Sequence, residues 1–154
     1  MDTVLGGKNR VLASRRDTHF QPLKATTFMP RILLIDDDPD EKIFISRYMK
    51  NIGCKDFTVD QAFKCSQGLA MLSNAAYDLV LLDNVLGDSI SAEFSVPFLK
   101  DHVDDTPIAI ISNNISARHL LSTDILGVDF IIDKTKLSKF LELIVPALLA
   151  KRAA

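Results

Sequence analysis

Five short apolar runs, each ended by polar residues, constrain this chain more than any other feature. They are 32–35 (Ile-Leu-Leu-Ile), closed by Asp36 and Asp37; 79–82 (Leu-Val-Leu-Leu), closed by Asp83; 108–111 (Ile-Ala-Ile-Ile), closed by Ser112; 130–132 (Phe-Ile-Ile), followed shortly by Lys134; and a less apolar, alternating run at 57–60 that suits an edge. Runs of this length with no polar alternation suit strands covered on both faces, the condition of a parallel sheet. In such a sheet the carboxyl ends of the strands share one edge, so the polar groups that close the runs converge there.

Helical periodicity fills the gaps. Asp38 can cap a helix with Pro39 at its first position, and Ile43, Phe44, Arg47, Tyr48 and Ile52 follow at helical spacing before Gly53, which predicts a helix over 39–51. The same reasoning predicts helices at 66–73, at 91–102 with an interruption near Pro97, and at 117–126 ending on Gly127. A last stripe of Leu137, Phe140, Leu141, Ile144 and Leu148 predicts a fifth helix, bent or shifted in its final turn by Pro146. The fifth strand is expected at 128–132. Strict alternation of strand and helix with right-handed crossovers gives an α/β, (βα)5 three-layer sandwich around a five-stranded parallel sheet. The flavodoxin-like order 2-1-3-4-5 is the commonest arrangement at this size, and it sets strands 1 and 3 side by side.

With 154 residues, 47% of them apolar, one domain can bury a core without staples. Cys54 and Cys65 are too few for a secreted disulfide framework and are not at a metal-ligand spacing, which fits a reducing cytoplasm. No apolar run approaches the roughly 20 residues needed to span a bilayer, and no secretory signal is present. The net charge of −2 hides an asymmetry: residues 1–28 carry five basic and two acidic side chains, the remainder 13 basic and 18 acidic. With Gly6-Gly7, Pro22 and no apolar period, residues 1–29 read as a disordered basic tail, with Met29 a candidate natural start, ahead of one folded domain over 30–154. Neither nucleic acid nor a membrane is an expected partner.

The converging groups have a chemistry. Two carboxylates about 4 Å apart repel by about 4 kcal/mol at an effective dielectric of about 20, so Asp36, Asp37 and Asp83 together call for a cation. Oxygen donors without histidine or cysteine favour Mg²⁺, Mn²⁺ or Ca²⁺, and a shallow site completed by water and a phosphoryl group suits Mg²⁺. Asp83, alone at the end of the central strand, is best placed to act as a nucleophile and accept phosphate as an acyl phosphate, with Asp36 and Asp37 as metal ligands. Ser112 can donate to one phosphoryl oxygen and Lys134 can pair with another. Taken singly these residues also have ordinary structural uses, as caps, turns or a solvated charge run; the joint pattern favours the site. His19, His102 and His119 are expected at the surface and outside the mechanism.

The run Ile32-Leu33-Leu34-Ile35-Asp36-Asp37-Asp38-Pro39, the run Asp78-Leu79-Val80-Leu81-Leu82-Asp83, Ser112 after the fourth strand, and Gly127 seven residues before Lys134 resemble the receiver domain of two-component response regulators, over residues 30 to about 150. The resemblance implies that Asp83 is the phosphoacceptor, that Asp36, Asp37, Asp83 and the main-chain carbonyl of Val85 bind Mg²⁺, and that Ser112 and Lys134 are the switch hydroxyl and the lysine. It implies a histidine kinase or histidine phosphotransfer protein as the donor, docking on helix 1 and the active-site loops. Three positions depart from the family's habit. Ile131 stands where an aromatic is common, with Phe130 one place earlier; Thr135 follows the lysine where a cis-proline is common; and Gly87 replaces a frequent proline four residues after the phosphoacceptor, in the loop carrying Asp88. With the chain ending at Ala154, no output domain is expected, so the response passes through an unidentified protein and the chain is a monomer or weak dimer. It is not expected to be an enzyme beyond assisting its own phosphoryl transfer and dephosphorylation. The rival from the same residues is a phosphorylation-independent interaction module. A haloacid-dehalogenase-type phosphatase would need a second acid where Val85 stands, and a flavin phosphate would be repelled by the acids after strand 1.

Overall fold

The computed structural model describes residues 28–87, 89–120 and 122–153. The basic tail, apart from Phe28 and Met29, and Asp88 in the loop after Asp83 lie outside the described residues.

Five strands form one parallel sheet in the order β2-β1-β3-β4-β5: β1 is Arg31–Ile35, β2 Thr58–Ala62, β3 Leu79–Asp83, β4 Ile108–Ser112 and β5 Phe130–Asp133. Helices α1 (Pro39–Asn51), α2 (Cys65–Asn74), α3 (Ala92–Lys100), α4 (Thr123–Leu126) and α5 (Leu137–Ala153) connect or follow them. The apolar runs are buried on both faces because alternate residues point to opposite layers. Ile32, Leu34, Leu79, Leu81, Ala109 and Ile111 pack with Ile45 and Met49 of α1 and Leu141 and Val145 of α5. Leu33, Ile35, Val80, Leu82, Ile108 and Ile110 face Val96 and Leu99 of α3 and Leu120. Each large side chain of this set contributes about 1.5–3 kcal/mol on burial, so the central strands that carry the site are the best-packed part of the sheet.

The register places the site. Ile35 lies beside Leu82, Asp83 beside Ile111, and Ser112 beside Asp133. The residues that follow each run therefore emerge within one residue of a common line.

Helix α1 has the expected limits: Asp38 caps it by accepting from Asp40 N, and Pro39 is its first residue. Its buried stripe, however, is Glu41, Ile45 and Met49, while Ile43 and Phe44 are exposed. Ile43 is two residues from Ile45, hence roughly 200° around the helix, and the two cannot share a face. Strand β2 is displaced toward its carboxyl end, because Gln61 and Ala62 pair with Leu34 and Ile35. Helix α3 runs unbroken through Pro97, an exposed position where water can take the carbonyl freed by the missing N–H. Helix α5 likewise continues past Pro146 to Ala153.

The largest correction falls on the expected helix over 117–126. Arg118–Leu120 is a 3₁₀ turn, and α4 is a separate four-residue turn that begins where the Ser122 hydroxyl accepts from Ile125 N. A serine that caps starts a new helix instead of continuing an old one. Gly127 does end α4, at φ +70°, with its N–H on Thr123 and Asp124 carbonyls. Strand β5 begins two residues later than expected, and Asp129 just before it ties Ile108 N and O.

Among the described residues no helix is long and apolar enough to cross a membrane.

Candidate metal and phosphoryl site

At the carboxyl edge, Asp36, Asp37 and Asp83 each direct a carboxylate oxygen into a group whose members lie within 4.8 Å of one another. Asp36 is buried at 1% exposure, Asp83 half-buried and Asp37 exposed, so the cluster is open to water on one side. Backbone geometry fixes Asp36: its Oδ1 accepts Asp38 N at 2.9 Å, and its own N donates to Ala62 O at 3.0 Å. Gln61 reaches over from β2 to donate to the carbonyls of both Asp36 and Asp38.

Lys134 sits at the centre of this charge. Its Nζ lies 2.7 Å from Asp36 Oδ2, 3.3 Å from Asp83 Oδ1 and 3.5 Å from Glu41 Oε2. Burial works against the ammonium, but the Asp36 hydrogen bond and the charges of Asp83, Asp36 and Glu41 outweigh it and hold Lys134 above its ordinary range. Asp83 moves the other way. Its burial, with the Asp36 and Asp37 charges added, overcomes Lys134 and raises it from 3.8 to about 6. Burial also raises Glu41, against the pull of Lys134. One cation therefore neutralises only part of the cluster.

The donor set is hard oxygen throughout, with neither histidine nor thiolate among the converging groups, and it fits Mg²⁺ better than a softer ion. Val85, at 50% exposure, bridges Ser91 across a short antiparallel pair closed by Ala92 N on Asn84 O and Leu86 N on Ile90 O. That pattern leaves the Val85 carbonyl outside the pair.

Ser112 reaches the same edge, buried, but its hydroxyl is engaged locally: it donates to Asn114 O at 3.0 Å and accepts Asn114 N at 3.1 Å. Lys134 begins a 3₁₀ turn in which Thr135 donates from both N and Oγ1 to Asp133 Oδ1, and no cis peptide bond occurs among the described residues. Phe130 packs edge-on against Phe140 at 5.0 Å in the layer of α1 and α5, whereas Ile131 packs into the opposite layer. A shift of one residue in a strand changes the face, so Phe130 does not stand in for the missing aromatic.

Three further residues shape the site. Glu41, in the first turn of α1 and not singled out by any sequence motif, is 8% exposed and faces Lys134; its position four residues before Ile45 and eight before Met49 is the signal that finds it. His119, expected at the surface, is half-buried, and its Nε2 donates to Oδ1 of the buried Asn84 at 2.6 Å, linking the segment after β4 to the residue after Asp83. Gly87 lies against Asp37: a Cβ there would stand 2.6 Å from Asp37 Oδ2, so a proline or any other side chain at 87 would displace that carboxylate. The turn is closed by Ser89 N on Leu86 O, with Ser89 at φ +64°.

No protein-family model matches the chain, and no curated protein matches it. Solved structures do. A two-component response regulator from Clostridium difficile superposes with a TM-score of 0.68 at 21% identity, covering 82% of this chain and 100% of that one. The receiver domain of Francisella response regulator 1452 gives 0.64 at 22% identity over 81% and 99%. The response regulator protein TrrA from Thermotoga maritima, solved in complex with Mg²⁺ and BeF, gives 0.63 at 24% identity over 78% and 99%. At these identities the likeness establishes the receiver fold, and the chemistry of the chain rests on its own side chains.

Proposed function

We propose that this chain is a phosphoacceptor response regulator in a two-component phosphorelay. The observation that carries the reading is the convergence of three carboxylates within 4.8 Å, with the Lys134 ammonium 3.3 Å from the nucleophilic candidate Asp83.

In this reading an Asp83 carboxylate oxygen attacks the phosphorus of a phosphohistidine on a histidine kinase or phosphotransfer protein. The new O–P bond forms as the N–P bond breaks, and the imidazole nitrogen leaves. Asp36, Asp37, Asp83 and the Val85 carbonyl would hold Mg²⁺, which supplies positive charge against the phosphoryl oxygens when bound. Lys134 pairs with one phosphoryl oxygen. Ser112 leaves Asn114 and donates to another. Burial of Asp36 holds one acid fixed, while the open side at Asp37 leaves room for a donor to approach. The chain acts on itself only, in the cytoplasm, and signals through a protein partner. The resemblance over 30–150, the fold and the hard-oxygen donor set support the reading together.

The test is mass spectrometry after incubation with Mg²⁺ and acetyl phosphate. One acid-labile phosphate is expected on the wild type and none on Asp83→Asn; phosphate on the variant would reject the assignment. A second reading, a phosphorylation-independent interaction module, is favoured by one observation, the Ser112 hydroxyl closed on its own turn. Partner binding that is the same with and without beryllofluoride, a mimic of the acyl phosphate, would select it.

A further inference from the structure

Glu41 carries a charge that the phosphoryl-transfer scheme does not use. It heads the buried stripe of α1, above Ile45 and Met49, and it is 8% exposed. Its carboxylate is outside the group of converging oxygens, which comprises Asp36, Asp37 and Asp83. Among the described residues its one ion-pair partner is Lys134, at 3.5 Å.

The three acids around Lys134 are therefore not equivalent. Asp36 and Asp83 lie where a divalent ion would neutralise them, so both can release the ammonium once that ion and a phosphoryl group are present. Glu41 has no such replacement. When Lys134 turns toward a phosphoryl oxygen, Glu41 is left as a buried carboxylate without its cation, an arrangement that resists formation. We infer that Glu41 is a positioning residue that holds the Lys134 ammonium back in the resting arrangement and thereby limits how tightly, and for how long, the site keeps a phosphoryl group. This inference rests on the phosphoacceptor reading of Asp83.

Glu41→Gln keeps the shape and removes the charge. With the full chain and Mg²⁺, calorimetric titration with beryllofluoride should show about three- to tenfold tighter binding than the wild type, the scale of one partly buried ion pair. The acyl phosphate formed from acetyl phosphate should last longer by a similar factor. Glu41→Asp, which keeps the charge on a shorter stem, should fall between the two, and Glu41→Met should follow Glu41→Gln if the polar side chain itself impairs folding. Thermal melting by circular dichroism identifies any variant whose fold is lost.

Binding and lifetime within twofold of wild type in Glu41→Gln and Glu41→Met would overturn the inference, as would weaker binding. Equal gains in Glu41→Asp and Glu41→Gln would overturn it too, since packing and not charge would then be the cause. A wild type that neither binds beryllofluoride nor takes phosphate on Asp83 would overturn the phosphoacceptor reading and this inference with it, whereas an active wild type with an unchanged Glu41→Gln overturns this inference alone.

Discussion

The two halves of the sheet's carboxyl edge are tied together by different kinds of bond. At the β1 and β3 ends, polar groups reach across the fold: Lys134 to Asp36 and Asp83, Gln61 to the Asp36 carbonyl, Asp36 N to Ala62. At the β4 and β5 ends the polar groups other than Lys134 bond to near neighbours: Ser112 with Asn114, Asn114 with Ser116, Asp133 with Thr135. Long-range ties fix a constellation before any ligand arrives, which is what a charge cluster needs. Local turns can exchange partners without disturbing the core, which is what a responding segment needs. The His119 to Asn84 bond joins the two halves.

If that division holds, damage to the preorganised half should be severe. Asp37→Asn removes an exposed carboxylate that makes no hydrogen bond among the described residues, so the protein should melt as the wild type does while Mg²⁺ affinity falls at least about a hundredfold, the loss expected for a direct ligand and not for a supporting one. Titration with Mg²⁺ reads the affinity. An effect below about threefold would mean that the exposed acid is only a bystander.

The same half should also be a source of instability in the metal-free protein. Asp83 has its native pKa raised from 3.8 to about 6 by burial and by Asp36 and Asp37. The native state then holds a proton that the unfolded chain gives up, so stability falls as pH rises through that window and the penalty persists above it. Asp83→Asn removes the ionisation and should stabilise the apo protein by about 2 kcal/mol at pH 7.5, with the gain vanishing below pH about 4. Urea denaturation in a chelator checks this, and added Mg²⁺ should narrow the difference by stabilising the wild type. A wild type more stable than the variant at pH 7.5 without metal would show that Lys134 outweighs the repulsion.

How much of this the sequence revealed follows the same division. Asp36, Asp37, Asp83 and Lys134 were legible because parallel strands end on one edge, so three short runs suffice to bring distant residues together. Helix α1 was legible from Asp38, Pro39 and Gly53, although the side it buries was not, because Ile43 and Phe44 are as apolar as Ile45 and Met49. Glu41 and Gln61 escaped notice as residue types common on surfaces; only their places in the helix and on the edge strand turn them inward. The second half was misread where local bonds compete with helix propensity. Ser122 begins a new turn, α4 shrinks to four residues, and His119 is carried onto Asn84 instead of outward. The position of Phe130 was read correctly as a displacement, and its face follows from the period of the strand.

The mildest substitution is the most direct probe of the responding half. In the resting arrangement the Ser112 hydroxyl has two bonds to Asn114. Donation to a charged phosphoryl oxygen contributes about 1.5–3 kcal/mol, and redirecting the hydroxyl proton gives up only the one bond it donates, to Asn114 O, at a cost of about 0.5–1.5 kcal/mol, so the net gain on switching is only about 1 kcal/mol. Ser112→Ala should therefore weaken beryllofluoride binding about fivefold, leave Mg²⁺ affinity in the absence of beryllofluoride within about twofold, and lower apo stability by less than about 1 kcal/mol. Calorimetry with and without beryllofluoride measures the first two. No change in the first would mean that the hydroxyl never leaves Asn114 and that the second half does not answer the first. A loss of a hundredfold would mean that the turn at 112–114 is already broken in solution, placing Ser112 with the preorganised acids and removing the contrast between the two halves.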